Sequence, residues 1–110
     1  MRFEWDEQKN RVNLRKHGVR FETATLVFDD PFALSLRDLA SDDEERWFTI
    51  GAFGQGAILL VVHTFYEEKG EEIIRILSAR AAEAHERKAY EEAHTGAKTR
   101  HPDHRRKKRL

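Results

Sequence analysis

Lysine, arginine, histidine, asparagine and tyrosine, side chains suited to holding and protonating a phosphodiester, gather in two stretches of this chain. Phe3 to Phe21 carries Lys9, Asn13, Lys16 and His17, and Ile74 to Glu92 carries Arg75, Arg80, Glu86, Arg87 and Tyr90. Cleaving RNA without a metal needs a base for the 2′-hydroxyl, donors for the charge growing on the phosphate, and an acid for the leaving oxygen. Base and acid contribute about 10²–10⁴-fold each, and fixed cations stabilise the transition state. His63, inside the apolar run Ala57 to Tyr66, is a candidate base, because burial lowers an imidazole's pKa and leaves it neutral. A hydrogen-bonded core histidine explains the same residue, and the sequence alone favours it.

Arg75 interrupts a run of Ile and Leu and by parity faces with Ile73 and Leu77. A guanidinium there must meet a carboxylate, water or a phosphate; a partly exposed arginine on the wet face of a sheet is an equal alternative. Arg80 ends the same strand, where it can enter a cleft from the sheet's rim or pair with Glu83 or Glu86. Glu86 and Tyr90 stand one helical turn apart and can bracket that cleft, although such a tyrosine more often simply packs. Lys9, Asn13 and Lys16 recur at helical spacing and with His17 form a cationic ridge, equally readable as a solvated helix face. The catalytic candidates are therefore His63, Arg75 and Arg80. The substrate-binding candidates are Lys9, Asn13, Lys16, His17, Glu86, Arg87 and Tyr90.

No metal or cofactor is expected. Asp29-Asp30 and Asp42-Asp43-Glu44-Glu45 fall in turns, where neighbours point apart, whereas two-metal catalysis needs carboxylates converging on ions about 4 Å apart. His94, His101, Asp103 and His104 form no closed ligand pattern. The glycines read as hairpin turns, not as a phosphate loop.

The elements that must position these residues follow from periodicity. Phe3 to Trp5 suits a short edge strand. Asp6 to His17 reads as a mostly exposed helix, with acids in its first turn, bases in its last and Gly18 as its stop. Phe21 to Phe28 is a second helix, poorly capped because Arg20 stands where Ser or Asp would serve, and ended by Asp30-Pro31. The period then becomes two. Phe32, Leu34 and Leu36 mark a half-buried strand, Arg46 to Phe53 a second, Ala57 to Tyr66 a central one and Glu72 to Ala79 a fourth. Ala82 to His94 closes the chain as a helix, with charge pairs Glu83–Arg87 and Arg87–Glu91, a small-residue stripe of Ala82, Ala89 and Ala93, and Gly96 as its end. Short turns imply antiparallel neighbours. The expected class is α+β, with two N-terminal helices, a four-stranded antiparallel sheet and a C-terminal helix.

The chain has 110 residues, 39% hydrophobic, enough for one modest core: a single domain over 1–96 with a basic, disordered tail over 97–110. From Lys98 onward seven basic residues face one acidic, a net of +6; the remainder holds 13 basic and 19 acidic, a net of −6. An acidic body argues against a uniformly basic nucleic-acid binder, so any such site must be local. The tail can hold phosphate in a salt-sensitive way, although a solubilising terminus is the better reading. There are no cysteines, hence neither a disulfide framework nor a thiolate metal site. No leader and no apolar run of membrane-spanning length appear, so a cytoplasmic protein is expected.

Several islands in order resemble the BrnT toxin family over roughly residues 1 to 93. They are Phe3-Glu4-Trp5-Asp6, Asn13 to Val19, Phe21-Glu22-Thr23-Ala24, Phe28-Asp29-Asp30-Pro31, Ile50-Gly51, Val61-Val62-His63, Ile76 to Arg80, and Glu86-Arg87 before Tyr90-Glu91. The resemblance implies a RelE-like fold and a ribonuclease of a type II toxin–antitoxin pair that cleaves mRNA and arrests growth. It also implies a BrnA-like ribbon-helix-helix antitoxin as partner, with operator DNA reached only through the complex. Arg20 and the basic extension after Gly96 depart from the family pattern. The alternative is a non-catalytic partner-binding or RNA-binding module on the same fold.

Overall fold

The computed structural model describes residues 1–42, 45–54 and 56–99, with 94–99 as helix backbone only. In chain order the elements are β1 (Arg2–Glu4), α1 (Glu7–His17), α2 (Phe21–Ala24), a 3₁₀ segment (Thr25–Asp29), β2 (Leu34–Arg37), β3 (Arg46–Phe53), β4 (Ala57–Glu68), β5 (Glu71–Ala81) and α3 (Ala84–Thr99). The strands form one sheet in the order β1-β5-β4-β3-β2, with β4 at its centre as its continuous apolar run requires.

The sheet has five strands and is mixed, not four-stranded and antiparallel. β1 joins as an edge strand parallel to β5, from Arg2 opposite Ile73 to Glu4 opposite Arg75. Short turns dictate antiparallel pairing only for strands consecutive in the chain. β1 and β5 are separated by all the other strands, and such a separation permits a parallel pair.

Alternation along β4 and β5 sends side chains to two cores. On one face Leu59, Val61, Ile74, Ile76 and Ala79 meet Phe21 and Ala24 of α2 and Val27 of the 3₁₀ segment. Full burial of Phe21 alone stabilises by about 2–3 kcal/mol. On the other face Ile50, Leu60 and Val62 meet Ala82 and the α3 residue Tyr90. Gly51 lets the 3₁₀ segment approach β3: a Cβ there would lie 2.6 Å from Val27 Cγ1 and 3.2 Å from its carbonyl oxygen.

The second helix is shorter than its pattern suggests. The Thr25 hydroxyl donates to the Glu22 carbonyl at 2.7 Å, a local bond that competes with helix propagation, and the chain tightens to 3₁₀ until Asp30 turns extended. Arg20 supplies no side-chain cap. The cap comes from α1, where Asn10 Oδ1 accepts from the Phe21 amide at 2.8 Å. Gly18 stops α1 as expected, at φ 72°.

β2 is narrower than the alternating run, since Phe32 lies outside it, and Leu36 is 46% exposed. This edge strand has β3 on one side only. Gly96 does not end α3, which runs on to Thr99. The Ala82 amide still donates to the Ile58 carbonyl, so the helix starts two residues later than expected. Ala93 is exposed, which leaves the small-residue stripe covered only in part. The rest of the expected tail, 100–110, lies outside the described residues.

Candidate functional site: a basic groove between α1 and β5

β1 covers the outer edge of β5 only from Ile73 to Arg75. Further along, Asn13 of α1 takes over. Its Oδ1 accepts from the Ala79 amide at 3.2 Å, and its Nδ2 donates to the Ala79 carbonyl at 2.8 Å and to the Val19 carbonyl at 2.9 Å. A carboxamide offers the same donor and acceptor as a peptide, so one side chain stands in for a ladder partner. This explains why the buried residues of α1 are the asparagines Asn10 and Asn13. Apart from the half-buried Leu14, the rest of α1 is exposed.

A groove of about 450 Å³ opens between α1 and the bared part of β5. Lys9, Asn13, Lys16 and His17 all line it, so the expected ridge is brought together. Asp6, Gln8 and Val12 join them from α1, and Leu77 and Ser78 form the β5 wall. Val62 pairs with Ser78 but His63 pairs with Ile76, which makes Leu77 the extra residue of a β-bulge. Bulges bend a strand and re-aim its side chains. Leu77 and Ser78 were not among the sequence candidates, because a bulge leaves no mark in hydrophobic periodicity.

Arg75 does not line the groove, but its charge reaches Asp6, which does. Its Nη1 is 3.6 Å from Glu4 Oε1, and the Tyr66 hydroxyl donates to the same oxygen at 2.9 Å. The Asp6 carboxyl is held below the usual carboxylate range, first by the Lys9 amide it accepts from, with smaller help from the Lys9 and Arg75 charges.

None of Arg80, Glu86, Arg87 or Tyr90 lines the groove. Of the two roles open to Arg80, the structure provides the ion pair: Nη1 and Nη2 each lie 2.8 Å from a Glu86 oxygen. That bidentate bond is the main reason the Glu86 carboxyl is lowered and the guanidinium raised. Glu86 also accepts from the Glu83 amide at 2.8 Å, half of a capping box that starts α3. Arg87 donates to the Ala82 carbonyl, in place of the expected partners Glu83 and Glu91. Tyr90 donates to Asp30 Oδ2 at 2.6 Å, and burial first, then Asp30, pushes its phenol up to about 12. These four residues build and dock α3.

His63 is a core histidine. It is 4% exposed and stacks edge-on against Phe28 with ring centroids 5.0 Å apart. Nδ1 lies 3.1 Å from the Thr64 carbonyl, which can only accept, so Nδ1 carries the proton. Nε2 then accepts from the Thr49 hydroxyl at 2.7 Å, and Thr49 in turn accepts from Ser35 at 2.8 Å. Both ring nitrogens are satisfied inside the protein.

Burial lowers the His63 pKa, opposed in part by the Thr64 carbonyl. The unfolded chain therefore binds this proton more readily than the folded one, and stability falls with pH once the unfolded imidazole begins to titrate near ~6.5. The melting temperature is expected to drop between about pH 7 and pH 5, and His63→Gln should flatten that slope. An unchanged slope in the variant would assign the acid sensitivity elsewhere.

Among the described residues one group, Glu83, His85 and Glu86, brings potential ligand atoms within 4.8 Å. Glu86 is already held by Arg80, and the other two are exposed. No helix among the described residues is long and apolar enough to cross a membrane.

The fold and groove define a small α+β protein with a local cationic cleft at a sheet edge. Residues 5–86 match the family model described as the ribonuclease toxin BrnT of type II toxin–antitoxin systems. A crystal structure of the Brucella abortus ribonuclease toxin BrnT is similar, with a TM-score of 0.57 and 28% identity over 76% of this chain and 97% of that one. No curated protein matches. The chain belongs to the BrnT family of ribonuclease toxins.

Proposed function

We propose that this chain is a metal-independent endoribonuclease that arrests growth by cleaving RNA in the α1–β5 groove. The observation that carries the reading is the convergence of Lys9, Lys16 and His17 in one groove on a protein whose body is net acidic. Lys9 and Lys16 hold phosphates, and Arg75, whose charge reaches Asp6 of the lining, adds to theirs. His17 moves the proton: it takes it from the 2′-hydroxyl, whose oxygen attacks the adjacent phosphorus. The 5′-oxygen of the next nucleotide leaves and takes a proton from the His17 imidazolium, which restores the free base and gives a 2′,3′-cyclic phosphate and a 5′-hydroxyl. Arg80 and Glu86 act indirectly, by fixing where β5 ends and α3 begins.

A toxin–antitoxin family implies an antitoxin, and a BrnA-like ribbon-helix-helix protein in the cytoplasm is the proposed partner. Induced expression should halt growth, with rescue by coexpression of that protein. Lys9→Ala/Lys16→Ala should relieve the arrest without lowering the protein level. Arrest that persists in this variant would place the toxic site elsewhere. A non-catalytic binding module would give arrest without RNA cleavage.

A further inference from the structure

We infer that Ser78 is a ribose-binding residue that lets the groove distinguish RNA from DNA, an inference that rests on the proposed RNA-cleaving role of the same groove. The β-bulge at Leu77 places Ser78 in the β5 wall, opposite the α1 wall that holds Lys9, Lys16 and His17. Gln8 and Asn13, the other carboxamide and hydroxyl side chains of the lining, both stand on the α1 wall, and Asn13 has its amide committed to the backbones of Val19 and Ala79. The Ser78 hydroxyl has no hydrogen-bond partner among the described residues and is half-buried.

The chemistry of the wall selects the part of the nucleotide it meets. Phosphates are served by the lysines, which carry full charge and only donate. A neutral hydroxyl that both donates and accepts matches the ribose 2′-hydroxyl, which does the same and is the group that separates RNA from DNA. Held by Ser78, the 2′-hydroxyl faces the α1 wall, where His17 is proposed to take its proton. Val12 and Leu77 are the apolar residues of the lining, and a sugar's carbon face can rest on them.

Equilibrium binding of the full chain to a short unstructured RNA and to the matching DNA separates the possibilities, with every protein compared in the slowly cleaving His17→Ala background and probe integrity checked on a denaturing gel. The chain with Ser78 in place is expected to prefer RNA. Ser78→Ala should weaken RNA binding about fivefold, the worth of one neutral hydrogen bond, leaving DNA binding and the melting temperature unchanged. Ser78→Thr, which keeps a hydroxyl, should retain the preference, and Lys9→Ala should weaken both polymers alike. Equal losses for RNA and DNA in Ser78→Ala, or no loss at all, would overturn the assignment while leaving the groove intact. Failure of the chain with Ser78 in place to bind RNA would overturn the RNA reading itself.

Discussion

Asn13→Ala is expected to destabilise the protein by about 3 kcal/mol, a large share of the roughly 5–15 kcal/mol that holds a domain folded. The substitution removes three hydrogen bonds at once, to the Ala79 amide and to the Ala79 and Val19 carbonyls. Each buried group left without a partner costs about 1–3 kcal/mol, and water entering the groove recovers part of it. Asn13→Asp should fare no better, because a carboxylate cannot donate to two carbonyls. The loss should also loosen α1 from β5 and so misplace Lys9 and Lys16. Urea titration reads the first effect, and amide exchange at Ala79 reads the second. A variant as stable as wild type would mean that α1 is held by other contacts.

His17→Ala should lower kcat for RNA cleavage by about 10²-fold, the lower end of what a general base contributes. KM and the urea midpoint should change little, because His17 is an exposed residue in the last turn of α1. Lys16→Ala should show the opposite split, a raised KM with a smaller change in kcat, since a phosphate-holding charge acts on bound substrate and transition state together. Unchanged kcat in His17→Ala would shift the proton transfer to another group of the groove.

How much of this was legible in the sequence depends on whether the determining contact was local. β3 was legible to the residue from its pattern, and α1 from its acidic start and Gly18 stop, because both signals sit within the element. β4 was recognised as central because a run apolar on both faces needs cover on both. The parallel β1–β5 pair was not legible, since no local signal links Arg2–Glu4 to Ile73–Arg75. For the same reason the cap on α2 was missed: it comes from Asn10, on another helix.

The groove shows the same division. Lys9, Asn13, Lys16 and His17 share a helical face and did come together. Asn13, however, is a structural strut, a role visible only once β5's open edge is seen. Arg80, Glu86 and Tyr90 share a helix–strand junction and looked like a cleft, yet their partners are one another and Asp30. His63, a catalytic candidate that a core role also explained, sits in the core with both ring nitrogens hydrogen-bonded. Ser78 had no sequence signal, because the bulge that presents it depends on pairing with β4.

The central claim is metal-independent RNA cleavage in the α1–β5 groove, and it is tested most directly by incubating the purified chain with RNA in excess EDTA. The wild type should cleave and leave 2′,3′-cyclic phosphate ends, while Lys9→Ala/Lys16→Ala, folded as judged by an unchanged urea midpoint, should be nearly inactive. Loss of wild-type cleavage in EDTA with recovery in magnesium, or full activity in the double variant, would contradict it.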